Sequence, residues 1–87
     1  MFVNIKTCKK ISLFMYIKYL FGPVQISKKY DLYVRKRLMH RGYELTYGER
    51  YYDYGDNNFS IRYSRIIVTD TFCQLEQYLW HEYQIEI

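Results

Sequence analysis

The chain's hydropathy period falls from helical spacing to two at Gly42 and returns to helical spacing near Thr71, and these changes confine it to a mixed architecture. Before Gly42 apolar residues recur at helical spacing, and beyond it they alternate with polar ones as in half-buried strands. With 87 residues there is room for one hydrophobic core, which helices and strands must share. The expectation is a single α+β domain over 1–87: a short β strand, two helices, an antiparallel β-hairpin and a C-terminal helix.

Phe2, Val3 and Ile5 open the chain as the short strand. Leu13, Tyr16, Ile17, Leu20 and Phe21 fall on one face of a helix expected near 9–21, which Gly22 and Pro23 stop. Ser27 is placed to cap a second helix over about 28–41. Tyr30, Val34 and Leu38 form its stripe at i, i+4 and i+8, and Gly42 ends it. Tyr43, Leu45 and Tyr47, then Phe59, Ile61 and Tyr63, alternate with polar residues and predict two antiparallel strands joined at about 48–58. Gly55-Asp56-Asn57-Asn58 is a dense turn signal there. A bulge near Ser64–Arg65 would change the buried parity before Ile66-Ile67-Val68. Thr71 and Gln74 have capping-box spacing and open a last helix over about 72–83, with Phe72, Leu75, Leu79 and Tyr83 on one stripe. Gln84–Ile87 either add an edge strand or trail off.

Charge is divided unevenly. Residues 1–42 hold ten lysines and arginines against one acid, Asp31, whereas residues 43–87 hold three arginines against eight acids. Such asymmetry points to a basic surface for an acidic partner, or to halves that neutralise each other across the fold. Complementary halves also allow homo-oligomers joined head to tail. Residues with AT-rich codons (Phe, Tyr, Met, Ile, Asn, Lys) number 39, against 11 of Gly, Ala, Arg and Pro, and alanine is absent. A short, tyrosine-heavy product of an AT-rich gene suggests a virus, phage or mobile element.

Cys8 and Cys73 are too few for a zinc site or a disulfide scaffold; one bridge between the ends is possible, but the leading expectation is two free, buried thiols in a reducing compartment. The apolar run Ile11–Phe21 is broken by Lys18, is far shorter than the roughly 20 residues of a membrane span and lacks a small-residue cleavage site. A cytoplasmic location in the host cell, without a membrane partner, follows as the expectation.

No catalytic pattern emerges. His40 and His81 are the only histidines, and His81-Glu82 lacks the second histidine of a zinc-protease helix. Asp53, Asp56, Asn57 and Asn58 lack the closing glutamate of a calcium loop. Glu44, Glu49, Asp53 and Asp56 could in principle hold a nuclease metal, but a polar hairpin tip explains them more simply. No glycine-rich phosphate loop is present. A protein without enzymatic activity, metal or cofactor is expected.

Two features remain. The expected second helix carries Lys28, Lys29, Arg35, Lys36, Arg37 and Arg41, and helix, turn, basic helix and hairpin in that order are similar to a winged-helix DNA binder. That likeness of element order over residues 11–64 implies base contacts from Arg35, Arg37 and Arg41 and phosphate contacts from Lys28 and Lys29. The acidic hairpin argues against it, as does the angle between Arg35 and Arg37 on a helix. The second feature is tyrosine: Tyr43, Tyr47, Tyr51, Tyr52 and Tyr54 lie around the hairpin turn, with Arg50 among them. Tyrosine gives large contact area at low entropic cost, as protein interfaces require. Such rings also stack single-stranded bases, but the neighbouring acids speak against that use. They could instead serve the core, Tyr43 and Tyr47 within it and the other three covering it.

The leading expectation is therefore a small binding protein that inhibits a larger host complex by occluding a surface. Such a target would be a protein or ribonucleoprotein assembly, for example a CRISPR effector or another defence or nucleic-acid-processing machine. Contact would run through Tyr47, Arg50, Tyr51, Tyr52 and Tyr54, with the basic helix facing DNA, RNA or an acidic protein. Direct duplex DNA binding by a small regulator and a self-associating structural protein are the alternatives.

Overall fold

Ser12 caps a helix, its hydroxyl accepting from the Met15 N–H at 3.2 Å. The computed structural model describes residue 8 and residues 10–87. The short strand expected at Phe2–Ile5 lies outside the described residues. Helix α1 spans Leu13–Leu20 and strand β1 spans Val24–Ser27. Strands β2 (Leu32–Lys36), β3 (Tyr43–Asp53) and β4 (Asn58–Thr69) follow, and helix α2 (Phe72–Tyr83) closes the order. The strands form an antiparallel sheet in the order β1-β2-β3-β4, so the α+β class holds.

The second helix does not exist. Its segment forms the β1–β2 hairpin and the bends that follow. The stripe Tyr30, Val34, Leu38 was ambiguous, because a spacing of four residues returns to the same face of a strand as well as of a helix. Leu32 and Val34, both buried, carry the period-two signal that decides it. Ser27 does accept from the Tyr30 N–H, at 3.2 Å, but it closes a turn that leads into Asp31 at φ 52°.

α1 begins later than expected, and it faces a different way. Seven of its eight residues are apolar, so periodicity alone could not choose its buried side. Tyr19 is the fully buried one, set between the rings of Tyr43 (6.2 Å between centroids) and Phe72 (5.8 Å). Leu13, Phe14, Ile17 and Phe21 are left exposed.

The β3–β4 hairpin and α2 match the sequence pattern closely. The strands run further than expected, to a turn at 54–57 where the Asp53 carboxylate accepts from the Gly55 N–H at 2.9 Å. Leu45 pairs with Ile67 and Thr46 with Arg65, so Ile66 is the extra, bulged residue beside the expected position. The bulge puts Ile67 on the buried side and Arg65 on the other. Thr71 and Gln74 form the capping box, and Gln84 ends α2 in the left-handed conformation. The last three residues are neither helix nor strand.

The core lies on one face of the sheet. Tyr19, Leu32, Val34, Tyr43, Leu45, Leu75 and Leu79 are its buried residues, drawn from both helices and the two central strands. Register fixes this: Leu32, Val34 and Lys36 stand opposite Tyr47, Leu45 and Tyr43, and directly opposed residues share a face. Among the described residues the other face carries no helix.

Burial raises the ionisation of Tyr19 above the ordinary tyrosine value of 10.0, with smaller contributions from Tyr43 and Glu76. Tyr43 is raised by burial and then by Tyr16. Because the folded values lie above the unfolded one, this contribution to stability is complete below pH 10 and is lost as pH rises through the raised values. A phenolate absorbance titration of the native protein should thus show a late-ionising class, and Tyr19→Phe should reduce it. Simultaneous titration of all tyrosines in the folded protein would contradict this core.

Cys8 and Cys73 are not free thiols but a disulfide, which corrects the expectation drawn from the sequence. Their Cα atoms are 5.3 Å apart, inside the normal range for a bridge. The bridge ties the segment before α1 to the first turn of α2. With the cysteines separated by 65 positions in the sequence, only the tertiary fold could show that they meet.

Candidate functional site

β2 pairs with β3 only as far as Tyr47, opposite Leu32. Gly48 still donates its N–H to the Asp31 carbonyl at 2.8 Å, and beyond it β3 has only β4 for a strand partner, through the register pairs Glu49↔Arg62 to Asp53↔Asn58. These five rungs make a two-stranded ribbon about 17 Å long that leaves the body of a molecule 53 Å in its longest dimension. The ribbon is two-faced. Tyr47, Glu49, Tyr51 and Asp53 point to the helix side with Ser60, Arg62 and Ser64. Arg50, Tyr52, Phe59, Ile61 and Tyr63 point to the open side.

Exposure is high along it. Tyr54 at the turn is 84% accessible and Phe59 is 70%, with Tyr47, Tyr51, Tyr52 and Tyr63 also exposed. Rings brace one another: Tyr52 lies edge-on to Tyr54 (4.9 Å) and to Phe59 (5.2 Å), and Tyr33 edge-on to Tyr63 (5.1 Å). The Arg62 guanidinium sits 5.3 Å over the Tyr51 ring. Gly48 allows the Tyr33–Tyr63 pair to close, since a Cβ there would come within 2.6 Å of Tyr33 Cε1. Of the two tyrosines that could have served within the core, Tyr43 does so, whereas Tyr47 is exposed.

The six basic residues assigned to a helix are dispersed. Lys28 and Lys29 occupy the β1–β2 turn, Lys29 over the Tyr30 ring at 5.2 Å. Arg41 lies in the loop at the other end of β2. Lys36 faces the helices, its ammonium 5.6 Å over Tyr43 and donating to the Arg37 and His40 carbonyls. Arg35 and Arg37 turn to the open face, so no recognition helix presents these charges to a major groove.

On the open face Arg35 stands opposite Glu44 in register, yet it is Arg65 (2.9 Å) and Arg37 (3.8 Å) that pair with Glu44 Oε1. Arg35 makes no ion pair among the described residues. Two adjoining grooves share Arg35, Glu44 and Arg65. One, of about 360 Å³, is flanked by Arg37, Met39 and His40; the other, of about 230 Å³, by Pro23, Thr46 and Tyr63.

The acids expected to discourage nucleic acid around the tyrosines separate from the arginines. Strand alternation sends Glu49 and Asp53 to the helix side while Arg35, Arg50 and Arg65 stay on the open face. It also splits the acids once considered for a metal, since Glu44 and Glu49 stand on opposite faces. Tyr33, Phe59, Ile61, Tyr63 and Arg65 were not singled out as site residues. The alternation of 59–63 against 48–52 was the available signal, once a register had been assigned. Among the described residues no helix is long and apolar enough to cross a membrane, and no His, Cys, Asp and Glu group could hold a metal ion.

No family model, curated protein or solved structure matches this chain.

Proposed function

We propose that the protein acts by binding, with the ribbon as the element that occupies and occludes a surface of a larger host assembly. The observation that carries this reading is a two-stranded arm, paired with no other strand beyond Gly48, with mutually braced aromatic rings on it and at its turn. A braced ring loses little freedom on docking, and tyrosine and its neighbours supply the central contacts of most protein interfaces. The ribbon's charge is small and mixed, Arg50 and Arg62 against Glu49, Asp53 and Asp56, which suits a protein surface better than a phosphate backbone.

The AT-rich, alanine-free composition supports a viral, phage or mobile-element origin, and the target is then a defence or nucleic-acid-processing complex, protein or ribonucleoprotein. A cytoplasmic site of action belongs to the same reading. In a reducing cytosol the Cys8–Cys73 bridge would open, so the arm must keep its shape on the core alone.

The test is capture by tagged protein from host lysate with and without nuclease, using the wild type and a Tyr51→Ala/Tyr54→Ala variant. A defined protein complex that survives nuclease, and that the variant loses at least tenfold, is the expected result. Equal capture by both proteins, or no nuclease-resistant complex, overturns the reading. Both residues are exposed, so the variant should unfold at the wild-type denaturant midpoint.

A further inference from the structure

We infer that the open face of the sheet is a platform for single-stranded nucleic acid, gripped through phosphates and base faces. This goes beyond the occlusion reading, which shares the Tyr52 and Phe59 rings with it but is tested at Tyr51 and Tyr54, on the ribbon's helix side and turn. Three observations converge on it.

The first is the segregation of charge. Arg35, Arg37, Arg50 and Arg65 belong to the open side, with Glu44 as the one acid among the paired strand residues there. That carboxylate is shared by Arg37 and Arg65 at a single oxygen, while Arg35 has no ion pair among the described residues. An anion entering the groove beside Glu44 meets three guanidinium groups with one carboxylate between them, a setting suited to phosphate.

The second is the series of rings on the same face. Tyr63, backed by Tyr33, and Phe59, backed by Tyr52, lie four residues apart on β4, about 13 Å along the strand. Ile61 lies between them and Arg50 stands opposite it. Each outer ring has its partner edge-on, and 45% of Tyr63 and 70% of Phe59 remain accessible. A duplex hides its base faces, whereas a single strand can lay them on such rings.

The third is the shape of the arginine end. The grooves of about 360 and 230 Å³ meet at Arg35, Glu44 and Arg65, and the smaller one reaches Tyr63. Phosphate sites and a stacking ring are therefore continuous along the face, in the combination of electrostatic groove and aromatic platform that single strands use. Arginines and ring faces engage groups that DNA and RNA share.

Fluorescence anisotropy with labelled oligothymidylate and oligouridylate, on the full-length protein, tests this. Both are expected to bind within a fewfold of each other and more tightly than a duplex of equal length. Affinity should fall with salt on a log–log slope of about −2, as for three phosphates of a single strand. Phe59→Ala and Tyr63→Leu should each weaken binding about tenfold, and Arg35→Gln by a similar factor. Lys18→Gln removes the same charge from α1 and should leave the affinity unchanged. Equal losses from Lys18→Gln and Arg35→Gln, preference for the duplex, or no binding of either oligonucleotide overturns the proposal. Phe59 and Arg35 are exposed, so their variants remain informative even where Tyr63→Leu disturbs the Tyr33 ring. Failure here would leave the capture experiment with Tyr51 and Tyr54 untouched.

Discussion

Opening the Cys8–Cys73 bridge is expected to lower stability by about 4 kcal/mol, the chain-entropy value for a loop of this size. The bridge links positions 65 apart, about three quarters of the chain, so it restricts the unfolded ensemble more than a local link would. A chain of 87 residues has a total stability of about 4–13 kcal/mol, so the bridge accounts for a third or more of it. A loss of that size lowers the melting temperature by roughly 20 °C. Urea unfolding of Cys8→Ser/Cys73→Ser against the oxidised wild type measures it directly, and dithiothreitol should bring the wild type to the variant's midpoint. Coincident curves for oxidised and reduced protein would show that the bridge contributes nothing. The result also bears on the site of action, since only a protein that stays folded when reduced can present its arm in a reducing cytosol.

Elements whose signals were local and redundant were legible in the sequence. α2 had a capping box, Thr71 with Gln74, and a stripe through Leu75 and Leu79, and it formed over the expected residues. The long hairpin had alternation on both strands and a turn rich in Gly, Asp and Asn, and even its bulge lay beside the anticipated position. Segment 28–41 misled because its stripe had steps of four, which fit both periods, and because its lysines and arginines favour helices on propensity alone. The β-rich run Leu32-Tyr33-Val34, pinned between β1 and β3, overrode that propensity.

The site was half legible for a similar reason. A cluster of tyrosines near Gly55 is visible without a register, and the structure places Tyr47, Tyr51, Tyr52 and Tyr54 on the exposed ribbon. The sorting of charge is not visible that way. Glu49 and Arg50 are adjacent in sequence but lie on opposite faces, and Arg65 reaches Glu44 only because the bulge at Ile66 turns it outward. Net charge of a segment therefore misjudged what each face offers. Glu49 and Asp53, two of the acids that seemed to disqualify the rings from stacking bases, stand behind the sheet, and the side that carries the grooves holds Glu44 among its arginines and is basic.

Gly42 is the position where one added methyl group should do most harm. It sits at φ +106°, is buried, and lies against the neighbouring strand, so that a Cβ there would overlap the Thr69 carbonyl oxygen. Gly42 also closes the loop after β2, its carbonyl accepting from the Arg37 N–H at 3.1 Å. Gly42→Ala therefore combines backbone strain of about 1–2 kcal/mol with overpacking of about 1–3 kcal/mol, against backbone that cannot rotate away. The expected loss is about 3 kcal/mol. Gly22→Ala supplies the control: φ there is +152° and nothing lies within 4 Å of an added Cβ. It should carry the conformational strain alone, about 1–2 kcal/mol. The difference between the two denaturation midpoints isolates the contact with Thr69. Equal midpoints would mean that Gly42 and Thr69 do not approach in solution, and the β3–β4 register that brings Tyr43 opposite Thr69 would have to be redrawn.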